Sequence, residues 1–226
     1  MTLPTTSPTT SPAAMPPLTE QAERLVAVGV ADLAGLAPDD LRALVRAADP
    51  APGALLVVPP ELAPVAALAP LLRRGEREGF VVEDMTDVAE FVPLAGLDVP
   101  APPAARAYVV SGLDRGDDLA SWSPDEALPE LTSRGRTPLT LAEGVHWALQ
   151  VPDVLERNHC FMTIGSRRVR PRGGLDARTP ALWISNGTGR DGRERRDAPK
   201  VGWCWAGNRH TWLGFASALR RTPLVG

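Results

Sequence analysis

The residues best equipped for chemistry crowd into the second half of the chain. All three histidines (His146, His159, His210), both cysteines (Cys160, Cys204) and all six tryptophans lie at or after Trp122. His159, Cys160, Cys204 and His210 carry the atoms of a four-ligand zinc site, because imidazole nitrogen and thiolate sulfur are the usual donors to that ion. Their spacing opposes it: adjacent His159 and Cys160 point to opposite faces of a strand, and no Cys-x-x-Cys is present. The same four residues could form a thiol centre in which a histidine takes the proton of a cysteine. No nucleophile signature surrounds either cysteine, and Cys160 falls in an apolar strand pattern where a thiol behaves as a small hydrophobe. The four remain the candidates for catalysis, and no metal is expected on them.

Two arginine-rich loops, 166–172 and 189–196, flank the segment that carries Trp183. Guanidinium groups hold phosphate or carboxylate through paired hydrogen bonds, and indole faces stack on rings. Arg167, Arg168, Arg195 and Arg196, with Trp183, Trp203, Trp205 and Asn208, are therefore the ligand-binding candidates. The expected partner is an anionic small ligand or another protein. Asp191, Glu194 and Asp197 interleave with the arginines, so pairing within the loops competes with that reading. A further enzyme alternative is Mg²⁺-assisted phosphate chemistry at Glu83, Asp84 and Asp87 or at Asp114, Asp117 and Asp118, since both acidic clusters follow apolar strands. Asn186-Gly187-Thr188-Gly189 lacks the Gly-Lys-Ser/Thr of a nucleotide-hydrolysing loop. Nucleic acid is not the expected partner either: in a helix-turn-helix over 124–150, Glu143 would face phosphates.

These residues depend on elements that the local pattern defines unevenly. Residues 1–17 are Thr, Ser, Pro and Ala in the main, too polar and proline-rich to offset backbone ordering, and read as a disordered tail. Residues 18–50 read as a helical hairpin, with Pro38-Asp39-Asp40 suited to a helix start. From 51 to 220 a single α+β domain is expected. Leu55–Val58 and Phe80–Val82 flank a helical stretch as a βαβ-like portion, and Tyr108–Val110 adds a strand. Ser123-Pro124-Asp125-Glu126 and Thr140-Leu141-Ala142-Glu143 are capping boxes that open two helices. Cys160–Ile164, Ala181–Ser185, Val201–Ala206 and Thr211–Ala216 predict a C-terminal antiparallel sheet, its last two strands a hairpin.

The stretch Arg136–Thr140, the segment Asn158–Arg168, Ala181-Leu182-Trp183-Ile184-Ser185 and the tryptophan-rich run from Gly202 through Gly214 together resemble an uncharacterised actinobacterial family, a domain of unknown function. The resemblance covers roughly residues 54–218. It implies one structural unit and brings no catalytic residue or cofactor.

Composition bounds the remainder. A chain of 226 residues, 44% hydrophobic and 23% charged, builds a core and is not disordered throughout. Its apolar runs are too short or too broken by proline to cross a bilayer, and no secretory leader is readable, so a cytoplasmic location with reduced thiols is expected. The net charge of −3 conceals a division: residues 1–118 carry 8 basic and 17 acidic groups, the rest 16 and 10, giving −9 and +6. Such halves can dock on each other or present the basic one to an anion.

Overall fold

A computed structural model describes residues 14–225. Residues 1–13 of the stretch read as a tail lie outside the described residues. Met15 packs on the core, and the carbonyls of Pro16 and Pro17 accept hydrogen bonds from the Gln21 side chain and backbone.

Where a two-helix hairpin was expected there are three helices, α1 (Leu18–Ala27), α2 (Val30–Leu33) and α3 (Pro38–Arg46). The chain continues through β1 (Leu55–Val57), α4 (Val65–Leu68), β2 (Arg73–Arg74), β3 (Arg77–Glu78), β4 (Phe80–Val81), β5 (Val92–Pro93) and β6 (Ala107–Ser111). Helix α5 (Pro124–Ser133) and, beyond β7 (Thr137–Pro138), helix α6 (Leu141–Gln150) both start on complete capping boxes, at Ser123 with Glu126 and at Thr140 with Glu143. The strands β8 (Cys160–Met162), β9 (Ser166–Arg167), β10 (Arg178–Ile184), β11 (Pro199–Trp205), β12 (Leu213–Phe215), β13 (Ser217–Ala218) and β14 (Arg220–Leu224) complete an α+β fold.

Two sheets dominate the described residues, a three-stranded one in the order β1-β6-β14 and a five-stranded one in the order β12-β8-β10-β11-β4. The strands on either side of α4 therefore do not pair. β1 lies antiparallel to β6, while β4 lies parallel to β11 in the other sheet. The four-residue α4 runs into a short 3₁₀ turn containing Pro70, too little helix to cover a parallel crossover.

The expected hairpin between the last strands of the larger sheet is also absent. The antiparallel arrangement holds for β8, β10 and β11, whereas the outer strands β12 and β4 run parallel to their neighbours. Because β11 opposes β10, β10 opposes β8, and β12 follows β8, strands β11 and β12 point the same way. A tight turn cannot join them. Residues 206–212 must instead cross over the sheet to reach the start of β12 beside Cys160.

Alternation along these strands divides the core in two. Phe161, Leu182 and Val201 join the main hydrophobic cluster, which extends from Leu18 to Leu224 and includes Trp147 of α6. Gly144 permits that close approach, since a Cβ there would lie 2.5 Å from Thr163 Cγ2. On the opposite face Cys160, Met162, Ala181, Leu213 and Phe215 pack against Leu119, Ala127 and Leu131, so α5 covers only part of this side. His210 and Trp212 of the crossover border the uncovered part, Trp212 being 48% exposed.

Candidate functional site

The crossover is held in place at both ends. The Ala206 N–H donates to the Ala177 carbonyl, the Asp125 N–H donates to that of Ala206, and the Ser121 N–H donates to that of His210. Beneath it lies a cavity of about 500 Å³ lined by the sheet residues Cys160, Ala181, Trp183 and Cys204, by His210 and Trp212 of the crossover, and by Asn158 and Asn186 at strand ends. His159, Ile184, Trp203 and Leu213 complete the wall. All four catalytic candidates thus border one space, together with Trp183 and Trp203 from the ligand-binding set.

Their chemistry is not that of an activated thiol. Burial pushes the Cys160 thiol up to about 12, with Cys204 adding to the rise, and burial also raises the Cys204 thiol. A nucleophilic cysteine needs the opposite displacement. The His159 ring is engaged by its neighbours. Arg115, which can only donate, approaches Nδ1 at 2.8 Å, so the ring proton sits on Nε2, 3.3 Å from Asp117 Oδ1. Arg115 also donates to the His159 carbonyl and to Asp117, tying this corner together. His210 stacks on Trp212 with ring centroids 4.6 Å apart. Among the described residues no three His, Cys, Asp or Glu side chains converge to hold a metal ion.

The indoles are placed by the strands. Trp203 and Trp205, two apart on β11, share a face and meet edge to face at 4.6 Å, with Trp205 48% exposed. The Trp203 Nε1–H reaches Asp84 at 3.3 Å. Trp183 lies across Gly202, where a Cβ would sit 2.6 Å from its Cη2, and carries Lys200 Nζ 4.6 Å over its ring. That lysine is bound by both oxygens of Asp191, at 2.7 and 2.9 Å, and Asp191 also accepts from Ser185. Asn208 is exposed on the crossover, outside the cavity wall.

The arginine loops point to carboxylates. Arg168 meets Asp87 at 2.6 Å and Glu90 at 2.7 Å, Arg178 bridges Asp87 and Asp176, and Arg195 faces Glu83 while lying over the Phe80 ring. Arg167 is almost fully buried, donates to the Asp176 carbonyl, and has Asp125 at 3.7 Å. Arg190 pairs with Asp84, and Arg196 is exposed. Arg178 holds the Asp87 and Asp176 carboxyls below their usual range through hydrogen bonds. The acidic strand ends of the first half are thus joined to the arginines of the second. Of the other acidic cluster, Asp114 accepts from the Gly116 N–H and Asp118 pairs with Arg134.

Asn158, Asn186 and the Lys200–Asp191 pair lie outside the site residues that the sequence points to. A signal was present: Asn158 precedes β8 and Asn186 follows β10, and antiparallel pairing of those strands brings both to one end of the sheet. Lys200, the one lysine in the chain, was conspicuous by type alone.

Residues 24–224 match the model of a family of unknown function (DUF5701), and the chain belongs to that family. No curated protein and no solved structure matches the chain. No helix among the described residues is long and apolar enough to cross a membrane.

Proposed function

We propose that this protein is a cytoplasmic ligand-binding module whose cavity, between the five-stranded sheet and the 206–212 crossover, takes a small ring-bearing molecule. The observation that carries this reading is that the indoles of Trp183 and Trp212 both line one space of about 500 Å³, whereas Trp203 turns its ring to the other face of β11. That volume falls within the range of small-molecule sites, and indoles combine a large apolar face with a polar N–H. Catalysis by a thiol is not needed to account for Cys160 and Cys204, whose burial makes them soft apolar wall atoms. Of the arginines expected to hold an anion, Arg167, Arg168 and Arg195 already face carboxylates, which favours the cavity over the loops as the seat for a ligand.

Ligand screening by thermal shift, followed by tryptophan fluorescence, tests the reading. A ligand of the folded state raises the melting temperature by mass action. The expected hit also perturbs indole emission, and Trp183→Ala removes both effects while circular dichroism remains native. Binding that survives Trp183→Ala and Trp212→Ala together would place the ligand elsewhere.

A further inference from the structure

We infer that the ligand is an uncharged planar heterocycle with hydrogen-bond donors and acceptors on its edge, of the nucleobase or nucleoside kind. This rests on the cavity reading above and narrows it. Of the twelve residues lining the space none is Asp, Glu, Lys or Arg. Two cations that touch its walls are paired with carboxylates, Lys200 over Trp183 with Asp191 and Arg115 beside His159 with Asp117. An anion entering here would lose its hydration and gain no opposite charge, which makes burial unfavourable.

The polar groups that do face the space suit a heterocycle's edge. The exposed amides of Asn158 and Asn186 each offer both donors and an acceptor, and a neutral His210 ring offers one of each. His159 is already held by Arg115 and Asp117, so it adds little. Three polar side chains are too few for a sugar, in which every buried hydroxyl needs a partner. They are enough for a flat ring whose faces lie against indoles and thiol sulfurs, both polarisable surfaces that favour π systems.

Calorimetric titration of the full chain with adenine, adenosine, uracil, uridine, the two 5′-monophosphates, glucose and inorganic phosphate tests the class. At least one free base or nucleoside is expected to bind, with its monophosphate at least tenfold weaker. Trp183→Ala should weaken that binding roughly tenfold or more, in line with the loss of a stacking face. Gly202→Ala is the second variant: its new methyl would lie 2.6 Å from the end of the Trp183 ring and must displace it, so binding should weaken while circular dichroism shows the fold retained. Tighter binding of a monophosphate, glucose or phosphate than of every base and nucleoside, with sensitivity to Trp183→Ala, would overturn the inference and leave the cavity reading standing. If none of the eight compounds binds, the inference fails. The cavity reading fails with it only if the broader screen also yields no ligand sensitive to Trp183→Ala.

Discussion

A thiol buried beside Leu213 and Phe215 that ionises only near pH 12 has almost no thiolate at neutral pH, so alkylation at pH 8 should leave Cys160 unmodified in the folded protein. Cys204 is half-buried and should react first, and denaturant should release both sites; peptide mass mapping separates them. Rapid native labelling of Cys160 would restore the nucleophile reading. The tryptophans divide by the same criterion of exposure. Trp147 packs at 5.7 Å from Phe161 in the main core and is 6% exposed, so Trp147→Ala should cost about 3–5 kcal/mol. Trp205 is 48% exposed and should cost less than about 1 kcal/mol when replaced by alanine, which denaturant titration of both variants measures. Residue type alone could not distinguish these two indoles. Both lie in apolar surroundings in the sequence, and only the position of the strand edge makes one core and the other rim.

The two capping boxes show what an element reveals of itself and what it conceals. Each is a local arrangement of four residues, which is why Ser123–Glu126 and Thr140–Glu143 were legible and occur as expected. Their burial was not legible, because it is set by distant chain. Glu143 is completely buried, and its carboxylate caps α6 while pairing with Arg221 of β14 at 2.6 Å and accepting from the Tyr108 hydroxyl. Glu126 stands at the surface with Arg209 as its partner. Identical motifs should therefore differ in cost. Ser123→Ala removes one cap and should cost about 1 kcal/mol. Glu143→Gln keeps a capping oxygen but leaves the Arg221 guanidinium buried without its counter-charge, at about 3–5 kcal/mol. Equal midpoints for the two variants in urea would show that the buried pair contributes nothing.

Across the whole molecule, strand positions were far more legible than strand partners. Leu55–Val57, Phe80–Val81, Cys160–Met162 and Pro199–Trp205 announce themselves by β-branched and aromatic residues, but pairing depends on contacts far apart in sequence, and both the βαβ-like portion and the final hairpin yielded to it. The same long-range closure seals the outer edge of β1 with side chains in place of another strand. Gln21 exchanges hydrogen bonds with Ala54 and Leu56, and His146 Nε2 accepts from the Val58 N–H at 3.2 Å. The other His146 nitrogen donates to the Ala142 carbonyl at 2.8 Å, so the ring is neutral with its proton on Nδ1. Complete burial lowers its pKa from 6.5 to about 4. Between those values the unfolded chain binds a proton that the folded one refuses, so the contribution is full above pH 6.5 and is lost as pH falls toward 4. The loss amounts to about 3 kcal/mol and levels off once both states are protonated. The depressed carboxylates Asp87 and Asp176 lose their contribution only as pH falls below their usual 3.8, and the exposed Glu126 and Glu23, lowered from 4.5 by their arginine partners, begin to lose theirs at the acid end of the window, so the decline between 6.5 and 5 belongs to His146. Denaturant titrations from pH 7.5 to 4 should show this decline, and His146→Gln should flatten it at the expense of stability at pH 7.5. A wild-type profile that stays level across the window would mean that the β1 edge opens to let His146 take its proton without unfolding.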